Sequence, residues 1–231
     1  MIGSVSTSHD YRDSWLVVPV YNEASVISDV IAEALLTFPK IVCVDDGSSD
    51  GSADEASRAG AHVVRHPINL GQGAALQTGF DYVLRDATAR FAVTFDSDGQ
   101  HLVSDAVNMV ERLRQEDLDV VLGSRFLDQR TKASSLKRIV LKLAVIFTNL
   151  TTGVRLSDAH NGLRAFTIEG LAQIRIRQNR MAHASEIVAQ IGRARLRYAE
   201  EPVHIVYTDY SRSKGQSLWN SVNILVELIL K

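Results

Sequence analysis

Five short runs rich in apolar residues, most of them closing in polar or acidic ones, constrain this chain more than any other feature. They are Trp15 to Val20, Lys40 to Val44, Ala61 to Arg65, Arg90 to Phe95 and Asp119 to Gly123. Trp15-Leu16-Val17-Val18-Pro19-Val20 is nearly continuous in its apolar character, as a strand buried on both faces must be. Between the runs lie segments with helical spacing. From Ala24 to Phe38 the apolar positions are Val26, Val30, Ile31, Ala34 and Leu35, and further helices are expected over 51–59, 72–85 and 103–116. Strands alternating with helices make an α/β fold, and in open α/β sheets ligands bind where the strands finish. Here the strand ends carry Asp45-Asp46 and Asp96-Ser97-Asp98.

Composition narrows the class. At 231 residues the chain holds about one and a half domains, so one domain with an elaboration is expected. Hydrophobic residues make 45% and charged residues 23%, as in a soluble globular protein. The lone Cys43 falls inside an apolar strand and has nothing to pair with, which points to a buried structural thiol in a reducing, intracellular setting. A net charge of −2 argues against nucleic acid as a partner. No stretch reaches the roughly 18 apolar residues of a membrane span, and residues 1–13 read as a frayed polar tail rather than a leader.

The second half differs. From Gln129 to Ser157 there is no acid, while Arg130, Lys132, Lys137, Arg138, Lys142 and Arg155 are all basic. Within it Leu136, Ile139, Val140, Leu143, Ile146, Phe147 and Leu150 line one face of a helix, and Leu218, Val222, Leu225 and Ile229 do so near the C-terminus. Such amphipathic helices serve a membrane surface, a partner, a homodimer or the protein's own core.

The sharpest chemical feature is Asp96-Ser97-Asp98-Gly99-Gln100. In extended chain residues i and i+2 face the same way, so the two carboxylates are expected to converge and to require a cation between them. Hard oxygen ligands suit Mg²⁺ or Mn²⁺ and through it a diphosphate; a plain Asp-Gly turn is the competing reading. Asp45-Asp46-Gly47-Ser48-Ser49-Asp50-Gly51-Ser52 offers carboxylates to a nucleobase or ribose, or else a turn in which Ser49 or Asp50 caps the next helix. Asn69-Leu70-Gly71-Gln72-Gly73-Ala74 brings backbone close to a ligand, but Leu76 stands where a dinucleotide fingerprint needs its third glycine. The seven histidines show no metal-ligand spacing, and neither a P-loop nor a G-x-S-x-G elbow is present.

Taken in order, these pieces resemble the family 2 glycosyltransferases of GT-A fold. The resemblance runs through Val18-Pro19-Val20-Tyr21-Asn22-Glu23, Val44 to Gly51, Asn69 to Ala74, Asp96 to Gln100, Gly123-Ser124-Arg125 and Asp158-Ala159-His160-Asn161-Gly162-Leu163-Arg164. It covers roughly residues 14–210 and is nearest to dolichyl-phosphate mannosyltransferase and its bacterial polyprenyl-phosphate relatives. It implies a Rossmann-like, mostly parallel sheet flanked by helices. A nucleotide-sugar half would span about 14–125, an acceptor half about 126–210, and residues 211–231 a flexible loop and amphipathic helix.

The resemblance also implies roles. Pro19, Tyr21, Glu23, Asp45, Asp46, Gly73 and Asp96 would bind a UDP- or GDP-sugar. Asp96, Asp98 and Gln100 would hold Mg²⁺ or Mn²⁺. Arg125, Arg138 and Lys214 would meet the phosphate of a polyprenyl acceptor, and Asp98, Arg125 and Asp158 would carry catalysis, with inversion at the sugar. Asp158 would act as a base for a hydroxyl acceptor, or only orient a phosphate that is already ionised. His160-Asn161 replaces the usual small residue before Gly-Leu-Arg, and Glu186 is expected to pair with nearby arginines. The implied location is the cytoplasmic face of a membrane, reached directly or through a small membrane-protein partner. The alternatives are transfer to a saccharide hydroxyl in cell-surface polysaccharide assembly and a non-catalytic nucleotide-sugar binder. A nucleotidyltransferase fits less well, because Tyr21-Asn22-Glu23 stands where a glycine-rich basic loop is needed.

Overall fold

The computed structural model describes residues 10–127, 153–158, 161–180 and 182–206. Along the chain run β1 (Ser14–Val20), α1 (Ile27–Leu35), β2 (Lys40–Asp45), α2 (Ser52–Arg58), β3 (His62–Arg65), α3 (Gln72–Val83), β4 (Phe91–Thr94), α4 (Val103–Gln115) and β5 (Val120–Ser124). There follow β6 (Arg164–Thr167), α5 (Ile168–Leu171), α6 (His183–Ala194) and β7 (Tyr198–Pro202). The strands form a single seven-stranded sheet in the order β3-β2-β1-β4-β6-β5-β7. β1 pairs in parallel with β2 and β4, β2 with β3, and β5 with β7, while β6 runs antiparallel between β4 and β5. This is the mostly parallel α/β sheet expected from the sequence.

Burial explains the strands. All seven residues of β1 are buried, and their alternation sends Val17 to one face and Leu16 and Val18 to the other. On the Val17 face, α3 contributes Leu76, Phe80 and Val83, and α6 contributes Ile187, Val188 and Ile191. The opposite face is covered by Ile27 and Ile31 of α1 and by Met109, Val110 and Leu113 of α4. Cys43 is buried there, and burial pushes its thiol up to about 12, as an inert core thiol requires.

Two expectations change. The helix foreseen over 24–38 shortens to Ile27–Leu35, because the N–H groups of Val26 and Ile27 both turn back to the Glu23 carbonyl. The tail foreseen over 1–13 does not extend through its last residues. Tyr11 packs on Phe38 at 5.0 Å between ring centroids and donates to Glu111 at 2.9 Å, and Asp13 pairs with Arg114 at 2.6 Å.

Because every strand but β6 runs the same way, the C-terminal ends of β1, β2 and β4 open on one edge of the sheet. Antiparallel β6 starts at that same edge, since Arg164 is opposite Thr94. The ends of β1 and β4, which are neighbours in the sheet but distant in sequence, form the crevice where such sheets bind ligands.

Candidate active site

The first wall comes from β1 and β2. Beyond Val20 the chain turns through Asn22, whose φ of 55° lies in the left-handed region that asparagine tolerates. The neighbouring acidic motif locks this turn. Ser48 Oγ accepts from the Asn22 N–H at 2.9 Å, Ser52 Oγ from the Glu23 N–H at 2.7 Å, and Asp50 from the Ala24 N–H at 3.0 Å. Asp50 also accepts from the Ser52 N–H at 3.0 Å, at the entrance to α2. Asp46 holds the next loop, accepting from the N–H groups of Leu70 at 2.9 Å and Gly71 at 2.7 Å. Its third partner is His66 Nδ1 at 2.8 Å, a ring braced in turn by Thr78 Oγ1 at 2.9 Å.

The centre is the turn after β4. Asp96 and Asp98 share the cavity, but a turn brings them together rather than strand alternation, since β4 ends at Thr94 and Gly99 takes φ +73°. The Asp96 N–H donates to His101 Nδ1 at 3.1 Å, which leaves the ring proton on Nε2, 3.4 Å from Asp96 Oδ2. Asp98 accepts from the Gln100 N–H at 3.1 Å. Burial first, and then the Asp96 charge, push the Asp98 carboxyl up to about 6. Gly162 leaves room for Asp96, because a Cβ at that position would stand 2.7 Å from Asp96 Oδ2.

The far wall is cationic. Arg125, just past β5, forms a fork with Asp158, with Nε to Oδ2 at 2.6 Å and Nη2 to Oδ1 at 2.9 Å, and its own N–H adds a third bond at 3.2 Å. Glu200 of β7 supports that carboxylate by accepting from the Ser157 and Asp158 N–H groups at 2.9 and 3.1 Å. Arg164 of β6 is buried in the same wall, and burial lowers its guanidinium to about 10 against the pull of Asp158 and Asp96. Arg180, just before α6, and His183 at its first residue also line the cavity, and burial lowers the His183 imidazole to about 4, so it adds no charge. Together these groups enclose a cavity of about 880 Å³ lined by both acids and arginines, the size of a drug-sized ligand site.

Comparison with known proteins decides what kind of site this is. The model of glycosyl transferase family 2 matches residues 15–175. The chain belongs to that family. An uncharacterized protein of Methanocaldococcus jannaschii is 32% identical over 222 residues, covering 94% of this chain and 91% of its own. The UDP-N-acetylglucosamine–dolichyl-phosphate N-acetylglucosaminyltransferase of Methanococcus voltae is 28% identical over 238 residues, covering 94% of each. Among solved structures, glucosyl-3-phosphoglycerate synthase from Mycobacterium tuberculosis, in complex with Mn²⁺ and UDP-glucose, superposes with a TM-score of 0.69 at 19% identity. The match covers 94% of this chain and 78% of that one, and it shows a shared GT-A fold.

In this glycosyltransferase the sequence-predicted residues are only partly gathered. Pro19, Tyr21, Glu23, Asp46, Asp96, Asp98, Gln100 and Arg125 all line the cavity. Asp45 does not; it is buried, and its Oδ1 has no hydrogen-bond partner among the described residues. Gly73 faces away as well. Its N–H donates to the Asn179 carbonyl at 2.8 Å, and a side chain there would collide with Gln178 and His183, so its glycine serves packing of α3 on α6. Asp158 is 3% exposed and lies behind Arg125 rather than at the rim. Glu186 pairs with no arginine side chain among the described residues; it accepts from the N–H groups of Arg177 and Gln178 at 2.9 and 2.8 Å. Arg138 and Lys214 lie outside the described residues, as do the amphipathic segments over 136–150 and 218–230. Arg164, Arg180, His183 and Glu200 were not foreseen. The only sequence signal for Arg164 was its place in the Gly-Leu-Arg-Ala segment.

Proposed function

We propose that this enzyme transfers a sugar, with inversion, from a UDP- or GDP-sugar to a polyprenyl phosphate, with Mg²⁺ or Mn²⁺ held by Asp96, Asp98 and Gln100. The observation that carries the acceptor reading is the state of Asp158. A hydroxyl acceptor needs a carboxylate free to take its proton, yet Asp158 is buried with both oxygens committed to Arg125. A phosphomonoester, whose second pKa lies near 6, is already mostly ionised at neutral pH. It needs cations instead, and the cavity lining supplies Arg125, Arg164 and Arg180. The dolichyl phosphate in the name of the Methanococcus voltae relative supports the same acceptor class.

The metal reading is supported by the donor set. Two carboxylates and an amide oxygen in one cavity, one carboxyl pushed upward by burial and then by the other, are the hard oxygen ligands that suit Mg²⁺ or Mn²⁺. Among the described residues no group of three or more His, Cys, Asp or Glu is placed to hold a metal. The remaining ligands would therefore be diphosphate oxygens and water, the usual shell of Mg²⁺. When bound, the ion stabilises charge developing on the departing nucleoside diphosphate.

In this reading Pro19, Tyr21 and Glu23 flank the nucleoside while Asp46 fixes the 66–71 loop around it. Arg125, aimed by Asp158, orients the acceptor phosphate. One phosphate oxygen forms the bond to the anomeric carbon on the face opposite the breaking sugar–diphosphate bond, so no sugar–enzyme intermediate arises. Asp158 is then a positioning residue. No helix among the described residues is long and apolar enough to cross a membrane. The basic stretch from Gln129 to Ser157 is proposed to bring the enzyme to the cytoplasmic leaflet, directly or through a small membrane-protein partner.

The test is transfer of labelled sugar from a panel of UDP- and GDP-sugars into the organic phase, with undecaprenyl or dolichyl phosphate as acceptor. Transfer should require the polyprenyl phosphate, stop in excess EDTA and return with Mn²⁺. Transfer to a free saccharide in the absence of polyprenyl phosphate would favour the hydroxyl-acceptor reading instead.

A further inference from the structure

Two polar side chains of the cavity have bonding capacity that the mechanism above leaves unused. His183 is 5% exposed and lines the cavity at the first residue of α6. Its Nδ1 lies 2.7 Å from the carbonyl oxygen of Arg180. A carbonyl only accepts, so Nδ1 carries the proton, and the neutral ring keeps its lone pair on Nε2. Burial and the nearby Arg164 charge hold the imidazole neutral by lowering it to about 4. No described residue hydrogen-bonds to Nε2, so the ring offers the cavity an acceptor.

Asn161 is the complement. Its Oδ1 accepts from the Leu163 N–H at 2.8 Å, which fixes the amide orientation. That leaves Nδ2, buried and without a hydrogen-bond partner, as a donor with unmet capacity. An unpaired buried amide N–H₂ costs free energy, so a ligand that satisfies it gains that much in return. Both residues stand close to Asp96. Asn161 precedes the glycine whose Cβ position is 2.7 Å from Asp96 Oδ2, and the Asp96 charge acts on the His183 ring.

The chemistry of the pair selects its ligand. A lone-pair nitrogen repels phosphate and carboxylate oxygens and needs an O–H; an amide N–H₂ needs an oxygen. A sugar ring supplies both, since each hydroxyl donates and accepts. We propose that His183 and Asn161 read the sugar ring of the donor, His183 Nε2 accepting from one ring hydroxyl and Asn161 Nδ2 donating to a ring substituent oxygen. They are thereby specificity-determining residues. The assignment rests on the nucleotide-sugar reading of the cavity and adds to it the groups that choose the sugar.

Calorimetry with Mn²⁺ separates the two levels. The probes are UDP, UDP-glucose, UDP-N-acetylglucosamine, GDP and GDP-mannose, against wild type, His183→Phe, His183→Gln and Asn161→Ala. For the sugar that wild type prefers, the Kd relative to the matching diphosphate should worsen about tenfold in His183→Phe and in Asn161→Ala, the loss of one neutral hydrogen bond and its desolvated partner. Affinity for the diphosphate alone should change by less than about twofold, as neither residue is assigned to it. His183→Gln, whose Oε1 can take the same hydroxyl, should recover most of the loss. A purely structural role would lower the affinity for diphosphate and sugar nucleotide alike. As a check that needs no variant, wild type should lose about the same factor for a fluorosugar nucleotide that lacks the hydroxyl donor at one ring position. Unchanged ratios in the variants, or equal binding of every fluorosugar nucleotide, overturn the assignment of His183 and Asn161. A wild type that binds no diphosphate and no sugar nucleotide of the panel overturns the donor reading beneath it.

Discussion

Asp98→Asn should make the metal-free enzyme more stable while removing its activity. In the folded chain the Asp98 carboxyl is moved from its ordinary 3.8 to about 6 by burial and by Asp96. At 1.36 kcal/mol per pH unit that displacement corresponds to roughly 3 kcal/mol. Asp98 is only half-buried, and solvent screening brings the expected figure to about 2 kcal/mol. The sign follows from proton uptake. A carboxyl raised on folding binds more protons in the native state between about pH 4 and 6, so stability falls as pH rises through that window. Asparagine cannot ionise and escapes the fall. Urea unfolding in EDTA should therefore show Asp98→Asn more stable than wild type by about 2 kcal/mol at pH 8 and by much less at pH 4.5. Saturating Mn²⁺ should reverse the order, because only wild type gains binding free energy from the ion. An equal advantage at both pH values, or no advantage at pH 8, would refute the claim that burial and the Asp96 charge disfavour an ionised Asp98 in this cavity.

Three further outcomes follow from the opposite wall and the basic stretch. Arg125→Ala should raise the KM for polyprenyl phosphate at least about tenfold with little change for the nucleotide sugar, since a guanidinium–phosphate pair contributes on the order of 1.5–3 kcal/mol; steady-state kinetics with each substrate varied in turn decides it. Asp158→Asn should cost about 3 kcal/mol of stability by unpairing Arg125 and removing a neighbour of buried Arg164, yet leave the acid side of the pH–rate profile in place; a profile that loses that limb would make Asp158 a base. In flotation assays the enzyme should rise with anionic vesicles at low salt and leave them near ~1 M salt, where the Debye length is only about 3 Å; enzyme that stays in the soluble fraction at low salt points to a protein partner.

How much of this was legible in the sequence depended on where each element finds its partners. β1, β2, β4 and β5 were visible as apolar runs because burial on both faces leaves polarity no place along them. β6 and β7 were not. Arg-Ala-Phe-Thr hides a strand buried over its first three residues behind an arginine, and Tyr-Ala-Glu-Glu-Pro is a half-buried edge strand whose acids reach across to Ser157, Asp158 and Arg112. The site divides in the same way. Residues at the ends of legible strands, such as Pro19, Glu23, Asp96 and Asp98, were found because a strand end is a local property. What each acid does was not legible, because it depends on who answers it. Asp46 is answered by backbone N–H groups more than twenty positions later and becomes a loop anchor; Asp158 is answered by Arg125, 33 positions earlier, and becomes a brace. Asp96 and Asp98 share one cavity, and the Asp98 carboxyl is still pushed up by burial and by Asp96 although the Arg164 charge acts on Asp96. Two like charges sharing a buried site are relieved by a cation from outside, and the buried Asn161 Nδ2, which no described residue answers, calls for a partner in the same way.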